Sequence, residues 1–287
     1  MRVKLTYTGS SGNIYNLQAD GLIRVKSANF HNYEWKASVT AQQYGATVDR
    51  FQRDPITYAT SLMFMGNYED NKALIETLHE EFENDIMHMS PGTLTWGDYS
   101  IQTYVTSSST YPNEPWTQND VKFYCPYPFW VKEKTIRIFP YSPHVLASDK
   151  QYDAANGRYG YPYSYAGSQN RAVFLKSSNL VPCDFKIVAY GPFSYASITI
   201  NGGTHRVDYE VSEGDYMIID SRRYGRYKGR AYVVSSGVET NVFDHRDPQY
   251  ELFAKVPAGD IIIDYVRTYG IDVTFYFERS EPKWTLS

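Results

Sequence analysis

The sequence has few of the residues that cross-link or anchor proteins. Its two cysteines, Cys125 and Cys183, lie far apart and form no CxxC pair, so the sequence predicts neither a disulfide framework nor a zinc site. No run approaches the roughly 18 apolar residues of a membrane span. The residues from Met1 to Tyr7 alternate polar and apolar, which is not the pattern of a secretory signal. We therefore expect buried thiols, no membrane contact and folding in the cytoplasm.

Strong net charge is also lacking. Lys and Arg total 28 against 32 Asp and Glu, a formal net charge of -4, which disfavours a general nucleic-acid-coating role. With 42% hydrophobic and 21% charged residues the chain is typical of a folded protein. Tyrosine is abundant, at 28 of 287 residues, which favours strands. At about 150 residues per domain, the length suggests two domains.

Catalytic motifs are missing too. The sequence contains no GxGxxG, GxxxxGK[ST], HExxH or GxSxG, and Gly9-Ser10-Ser11-Gly12 is typical of a hairpin turn. The histidines are scattered, and His79 and His88 do not have the i, i+4 spacing of two metal ligands on a helix. His245-Arg246-Asp247 matches the letters of a kinase catalytic loop without its other motifs, so it indicates a turn. We expect no enzyme activity, no cofactor and no metal.

One amphipathic helix interrupts a pattern of strands in the first half. From Asn71 to Met87 apolar residues recur at spacings of three and four, with glutamates between them. Asp70 or Asn71 is the expected cap, and Ser90-Pro91-Gly92 is expected to end the helix. We expect its acidic face to be solvated.

The sequence indicates that two of the predicted strands form a long two-stranded arm, from Phe30 to Phe51. A single hairpin of this kind cannot bury its own apolar surface. The arm is therefore the candidate self-assembly surface, and its large aromatic residues are Phe30, Tyr33, Trp35, Tyr44 and Phe51.

The second half repeats the β pattern. Eight short alternating runs, one of them from Glu251 to Val256, are spaced as in a β-sandwich. Between the halves the periodicity fades in a tyrosine-rich stretch. We therefore predict a mainly β protein: an N-terminal β domain at 1–139 with one helix, a connecting segment at 140–178 and a C-terminal sandwich at 179–287.

Two groups in the second half are candidate sites. The aromatic and basic residues Arg222, Arg223, Tyr224, Arg226 and Tyr227 form a candidate partner or ligand surface, for which a solvated or protein-contacting loop is favoured over nucleic-acid binding. Paired acids for glycoside cleavage are the other group. For these, the ordinary acids of outward strand faces are the favoured explanation, and the residues concerned are Asp208, Glu210, Asp215, Asp220 and Glu251.

The arrangement resembles a known family. The resemblance is carried by the arm and strands at 22–65, the helix at 71–87, Gly92-Thr93-Leu94-Thr95-Trp96, the Cys125-Pro126-Tyr127-Pro128-Phe129-Trp130 stretch, and the runs 190–192, 198–202, 211–220, 257–260 and 282–284. In these the chain resembles the distal tail proteins of long-tailed bacteriophages. That resemblance implies a ring-forming N-terminal domain with a protruding arm and a galectin-like C-terminal sandwich.

The resemblance also implies a role and partners. Six copies would form a ring at the virion tail tip, folded in the bacterial cytoplasm before assembly, that joins the tail tube protein to the hub or tip protein and offers receptor-binding or side-fibre proteins an attachment. A closed head-to-tail ring agrees with an arm that needs a neighbour.

Two other classes of function stay open. The sandwich would suit a carbohydrate-binding adhesion module if it shows an exposed aromatic platform flanked by polar side chains, and not if the face is filled with aliphatic ones. A cell-wall hydrolase would need two convergent carboxylates in a cleft.

Overall fold

The computed structural model describes residues 4–18, 21–66, 68–112, 116–140, 172–177, 179–224 and 227–283. Their backbone forms two compact units. The described residues of Met1–Glu133, Arg223–Tyr227 and Phe277–Ser287 belong to the first unit, and those of Lys134–Arg222 and Lys228–Tyr276 to the second.

Alternating apolar residues give the first unit its strands. In chain order its elements are β1 (Leu5–Thr8), β2 (Ile14–Asn16), β3 (Ile23–Ala28), β4 (Lys36–Ala41), β5 (Ala46–Gln52), β6 (Ile56–Met65), α1 (Tyr68–Met87), β7 (Gly92–Trp96), β8 (Tyr99–Pro112), β9 (Trp116–Cys125) and the start of β10 (Trp130–Ile138). The long strand β8 pairs with β7 through its first half and with β9 through its second. One sheet therefore continues as β7-β1-β2 and the other as β9-β6-β3, all pairs antiparallel.

Helix α1 has the predicted buried stripe. Ile75, Leu78 and Phe82 are buried, as the three- and four-residue spacing requires. The helix begins three residues before the predicted start, so the prediction of Asp70 or Asn71 as its cap is wrong. The Asn71 amide instead donates a hydrogen bond back to the Met65 carbonyl, at 3.0 Å. The predicted end is confirmed, since α1 stops at Met87 and Met89 has a φ of 49°.

The acidic face of α1 differs from the prediction at two positions. Glu81 and Asp85 are buried rather than solvated. Asp85 accepts hydrogen bonds from the Ser10 backbone N–H, at 2.8 Å, and from the Tyr7 hydroxyl, while Glu81 accepts two from Ser11. The two carboxylates thus accept hydrogen bonds from the turn that joins β1 to β2, and these bonds fix the turn against the helix.

These contacts shift the pKa values of the groups involved. Burial raises the pKa of Tyr7, and its hydrogen bond to Asp85 adds to the effect. Burial opposes ionisation of Glu81, but the hydrogen bonds from Ser11 and Asn13 outweigh it and lower the pKa of that carboxyl.

The second unit contains two sheets. Its strands are β11 (Val173–Leu175), β12 (Asp184–Tyr190), β13 (Ala196–Ile200), β14 (Gly203–Val207), β15 (Tyr216–Asp220), β16 (Arg230–Ser235), β17 (Val238–Asn241), β18 (Ile261–Asp264) and β19 (Ile271–Arg279). The sheet orders are β17-β16-β15-β12-β19 and β11-β18-β13-β14. Buried aliphatic and aromatic residues alternate along β12 and β13, as in the predicted sandwich.

The tight turn between β13 and β14 follows the prediction. Asn201 and Gly202 have φ values of 48° and 84°, the left-handed conformations that a two-residue hairpin of this type needs. His205, which follows on β14, is 1% exposed, and its Nδ1 lies 2.8 Å from the Leu252 carbonyl oxygen.

Several sequence predictions are corrected or refined. The run from Glu251 to Val256 forms turns and a single bridge instead of a strand, because the Ala254 N–H bonds back to Glu251 and only Val256 pairs, with Cys183. The first stretch of the first unit ends at Glu133, and two later stretches of the chain return to that unit. Val173–Leu175, inside the predicted connecting segment, pairs with β18; residues 141–171 and 178 of that segment lie outside the described residues. The mainly β class with one helix is confirmed.

Candidate functional site

The β4–β5 hairpin is a two-sided ribbon, which we call the arm (residues 36–52). Its strands pair only with each other. Residues directly opposite in the register share a face, and a bulge at Ser38/Val39 keeps the alternation in phase on both strands. One face therefore contains only apolar residues: Ala37, Val39, Ala41, Ala46, Val48 and Phe51. The other face contains polar ones: Lys36, Ser38, Thr40, Thr47, Arg50 and Gln52.

The apolar face of the arm is exposed. Val39 is 54% exposed, Val48 47% and Phe51 61%. At the tip the Gln42 N–H bonds to the Gly45 carbonyl at 3.0 Å, and Tyr44 projects with 87% of its surface exposed. On the part of the chain that the structure describes, this face has no covering element. It is the kind of apolar patch that marks a protein interface.

An aromatic cluster supports the base of the arm. Trp35 and Phe129 have ring centroids 6.1 Å apart. The Arg53 guanidinium carbon lies 5.8, 5.4 and 4.7 Å from the ring centroids of Tyr33, Trp35 and Phe129, which is within cation–π range.

Arg53 itself is unusual. Its three guanidinium nitrogens are buried and have no hydrogen-bond partner among the described residues. Burial lowers the pKa of Arg53, and the nearby Tyr58 and Tyr33 act in the opposite direction. The charge is therefore held by aromatic rings rather than by an acceptor.

The aromatic contacts continue from the arm to the predicted basic loop. Phe129 contacts Tyr127, at 5.2 Å between centroids, and Tyr127 stacks on Tyr224 at 3.9 Å. Tyr224 meets Tyr227 edge-on at 5.7 Å. The structure thus brings two separately predicted sites into one surface of the first unit.

The described basic residues of this loop have different environments. Arg222 is 7% exposed, makes a bidentate ion pair with Asp220 at 2.9 and 2.7 Å and lies over the Tyr276 ring. It is part of the second unit's packing and not of a free surface. Arg223 is exposed, and Arg226 lies outside the described residues.

Phe30 differs from the other predicted arm residues. It is 2% exposed and packs in the first unit's core against Tyr58, Trp96 and Trp130, at 5.5 to 6.1 Å between ring centroids. The sequence around Phe30 did not indicate that this side chain would be buried. Sequence reasoning also missed Arg53, Tyr127 and Phe129. For Tyr127 and Phe129, the only signal was the density of aromatic residues at 127–130.

The remaining candidate residues are dispersed. His79 lies within 3.1 Å of Ser108 and Asn119, and burial lowers its pKa. The next histidine along the chain is His88, whose Nδ1 lies 3.0 Å from the Asn84 carbonyl oxygen. No group of three or more potential metal ligands occurs among the residues described. Within those same residues, no helix is both long and apolar enough to cross a bilayer.

The thiols and the His245 segment follow the predictions. Cys125 and Cys183 are buried and not disulfide-bonded, and burial raises the pKa of Cys125 to about 12. The Phe243–His245 stretch is a single 3-10 turn, after which Asp247 accepts a hydrogen bond from the Gln249 N–H.

Comparison with known proteins identifies the fold. No protein-family model matches the sequence, and no curated protein matches it. Among solved structures, however, the chain has the fold of phage tail hub and baseplate proteins.

Three of the similar structures come from two phages. One is the SPP1 Dit protein, described as a paradigm of the hub adsorption apparatus in Gram-positive infecting phages, with a TM-score of 0.60, 10% identity, and 96% of this chain and 99% of that one covered. The others come from the phage P2 baseplate in its activated conformation with Ca and with Sr, each with a TM-score of 0.65, 12% identity, and 98% of this chain and 100% of that one covered. The resemblance to distal tail proteins is thereby confirmed at the level of the fold.

Proposed function

We propose that the protein is a structural component of a phage tail tip and that its copies assemble into a closed ring through the arm. The observation that carries the proposal is the fully apolar, exposed face of β4–β5. The shared fold with tail hub and baseplate proteins supports the location.

The energetics favour a protein partner on this face, and in this proposal the partner is a second copy. Burying a Val or Phe side chain completely contributes about 1.5–3 kcal/mol, so Val39, Val48 and Phe51 together offer several kcal/mol to a contact. The polar face, with Lys36 and Arg50, would stay in water. Exposed edges of an isolated ribbon also invite pairing with another chain.

Ring closure follows from the geometry of such a contact. The arm of one copy and the receiving surface of the next are different surfaces, so the interface is heterologous and closes when the rotation is right. Six copies is the number that the family resemblance implies. In this proposal the ring joins the tail tube protein to the hub protein and gives receptor-binding or side-fibre proteins a collar.

The proposed role is mechanical and not enzymatic. The candidate acids support this where their contacts are known, since Asp220 is held by Arg222 and Asp208 by Arg206, at 2.8 Å. Glu210 and Glu251 are exposed, which suits outward positions on a sandwich.

The test is the mass of the full chain in solution by light scattering across a concentration series. We expect wild-type mass near six times 33.1 kDa. A Val48→Ser, Phe51→Ser variant should stay near 33.1 kDa with an unchanged circular dichroism spectrum, because both side chains are about half exposed and neither belongs to the buried core. Trp35 is less suitable because it also packs on Phe129.

The matched control changes the opposite face of the same ribbon. A Thr47→Ala, Arg50→Ala variant should assemble like wild type. A wild-type chain that stays monomeric at all concentrations, or an apolar-face variant that still forms rings, would contradict assembly through this face.

A further inference from the structure

The four-stranded sheet of the second unit presents polar side chains on its outer face. Ala196, Ile198 and Ile200 of β13 are buried, so the alternating Ser197 and Thr199 point outward. The register continues this polar face across neighbouring strands. Ser197 lies opposite Arg206 of β14, while Thr199 lies between Thr204 of β14 and Asp264 of β18.

Ser197, Thr199, Arg206 and Asp264 form one wall of an open cleft of about 600 Å³. Four aromatic residues line the rest of it together with Pro192 and Val266, and these are Phe193, Tyr195, Tyr265 and Tyr269. The cleft falls within the range of small-molecule sites, which are about 300–1,000 Å³.

Internal hydrogen bonds hold the aromatic walls in place. The Ser197 N–H donates to the Tyr269 hydroxyl at 3.1 Å, and the Tyr265 hydroxyl donates to the Tyr269 carbonyl at 3.1 Å. Both tyrosines are buried, and burial raises the pKa of Tyr269 to about 12. Tyr195 is different, since 47% of its surface is exposed. The Arg206 guanidinium carbon lies 5.0 Å from the centroid of the Tyr195 ring, so the opposite face of this ring is the one that Tyr195 offers to a ligand at the rim of the site.

The charges of the cleft disfavour an anionic ligand. Arg206 is compensated by Asp208, at 2.8 Å, and by Asp247, at 3.8 Å. Asp264 also lines the cleft, is exposed, and its carboxylate has no hydrogen bond or ion pair to any described residue. Because the guanidinium is already paired and the Asp264 carboxylate is not, an anionic ligand would be repelled.

From this arrangement we propose that the cleft is a binding site for a neutral saccharide. A sugar ring has an apolar face that packs on an aromatic ring such as Tyr195. Its hydroxyls both donate and accept, and they match the Asp264 carboxylate, the Arg206 guanidinium and the hydroxyls of Ser197 and Thr199. The cleft combines aromatic and polar side chains, the character that favours carbohydrate binding, with Val266 as its exposed aliphatic side chain.

This inference goes beyond the proposed ring and does not depend on it. The cleft residues all belong to the second unit, whereas the arm belongs to the first. Saccharide binding and ring mass can therefore be measured on the same variants, and either can fail alone.

The experiment is saturation-transfer NMR on the full-length chain. The probes are methyl glycosides of glucose, galactose, N-acetylglucosamine and rhamnose, with glycerol phosphate as the anionic probe. We expect saturation transfer to at least one neutral glycoside and none to glycerol phosphate. Tyr195→Ala should weaken the affinity about tenfold or more, which corresponds to loss of one good stacking contact.

Two further variants make the test specific. Asp264→Asn keeps the shape of the side chain but removes a charged acceptor, so it should weaken the affinity for the neutral glycoside several-fold. Tyr250→Ala is the matched control, because Tyr250 is 41% exposed in the same unit but does not line the cleft, and it should bind like wild type. Both tyrosine variants should keep the wild-type mass.

Three results would overturn the proposal. They are no transfer to any neutral glycoside, glycoside affinity unchanged in both Tyr195→Ala and Asp264→Asn, or binding of glycerol phosphate that strengthens in Asp264→Asn.

Discussion

Tyr127 and Tyr224 stack face to face, with ring centroids 3.9 Å apart and planes 6° apart, although they come from opposite halves of the sequence. The Tyr127 hydroxyl also donates a hydrogen bond to Glu278, at 2.6 Å. Three distant parts of the chain thus meet in the first unit. Stacking of Tyr224 on Tyr127 therefore helps to hold the described part of this loop in the first unit.

A double-mutant cycle measures this relationship. Tyr127→Ala and Tyr224→Ala should each lower the free energy of unfolding of the first unit, and their coupling should be about 0.5–1.5 kcal/mol, typical of an aromatic pair. Chemical denaturation of the four chains gives the value. Tyr127→Phe is the control, because it keeps the stack and loses only the bond to Glu278; effects that simply add would show that the rings do not stabilise one another.

Regular periodicity was the part of the structure that the sequence could predict. The apolar spacing around Leu78 indicated α1, and Asn201-Gly202 indicated a hairpin turn, because in both cases the cause is local. Alternation also indicated the arm, although its paired strands are shorter than the predicted span from Phe30 to Phe51.

What the sequence could not predict depends on distant partners. The acidic face of α1 has the pattern of a solvated face, and only the approach of the turn at residues 9–13 makes Glu81 and Asp85 buried acceptors. The same holds for Phe30, whose partners Tyr58 and Trp130 come from β6 and β10. The cleft beside Tyr195 likewise needs the register of three strands, which no single stretch of sequence contains.

The turn at Gly9 provides a steric test of the helix contact. A Cβ atom at Gly9 would lie 2.0 to 2.2 Å from the Glu81 carboxyl group. Gly9→Ala should therefore displace that carboxylate from Ser11 and Asn13 and cost about 1–3 kcal/mol, the range for hydrogen bonds to a charged group. Thermal unfolding measures the loss.

The control for Gly9 is the same change in a Glu81→Ala background. With the clashing side chain and its hydrogen bonds already removed, Gly9→Ala should then have little further effect. An equal cost in both backgrounds would place the strain in the backbone of the turn instead.

The buried His205 should make the stability of the fold depend on pH near neutrality. Burial lowers its pKa from the usual 6.5, an effect that the contact with the Leu252 carbonyl only partly opposes. As the pH falls below about 6.5, the unfolded chain binds a proton that native His205 resists, so stability falls with the pH by at most about 1.4 kcal/mol per unit.

His205→Gln should flatten this slope in denaturation curves recorded between about pH 7.5 and pH 5. Some slope should remain, because burial also lowers the pKa values of His31 and His79. A slope unchanged by the substitution would show that His205 titrates alike in the folded and unfolded chains.

Arg53 provides a test of what holds the base of the arm. Its guanidinium nitrogens are buried without an acceptor among the described residues, and three aromatic rings surround it. A buried charge without a hydrogen-bond partner is costly, whereas its aliphatic stem packs like an apolar side chain. Met has a similar length and makes favourable contacts with rings.

The free energy of unfolding of Arg53→Met should therefore lie within about 1 kcal/mol of the wild-type value or above it. Arg53→Ala leaves a gap beside Trp35 and Phe129, so its free energy of unfolding should be lower than that of wild type by about 1–3 kcal/mol. If denaturation shows the two variants equally destabilised, the positive charge itself is required, and cation–π attraction rather than packing fixes the arm to its base.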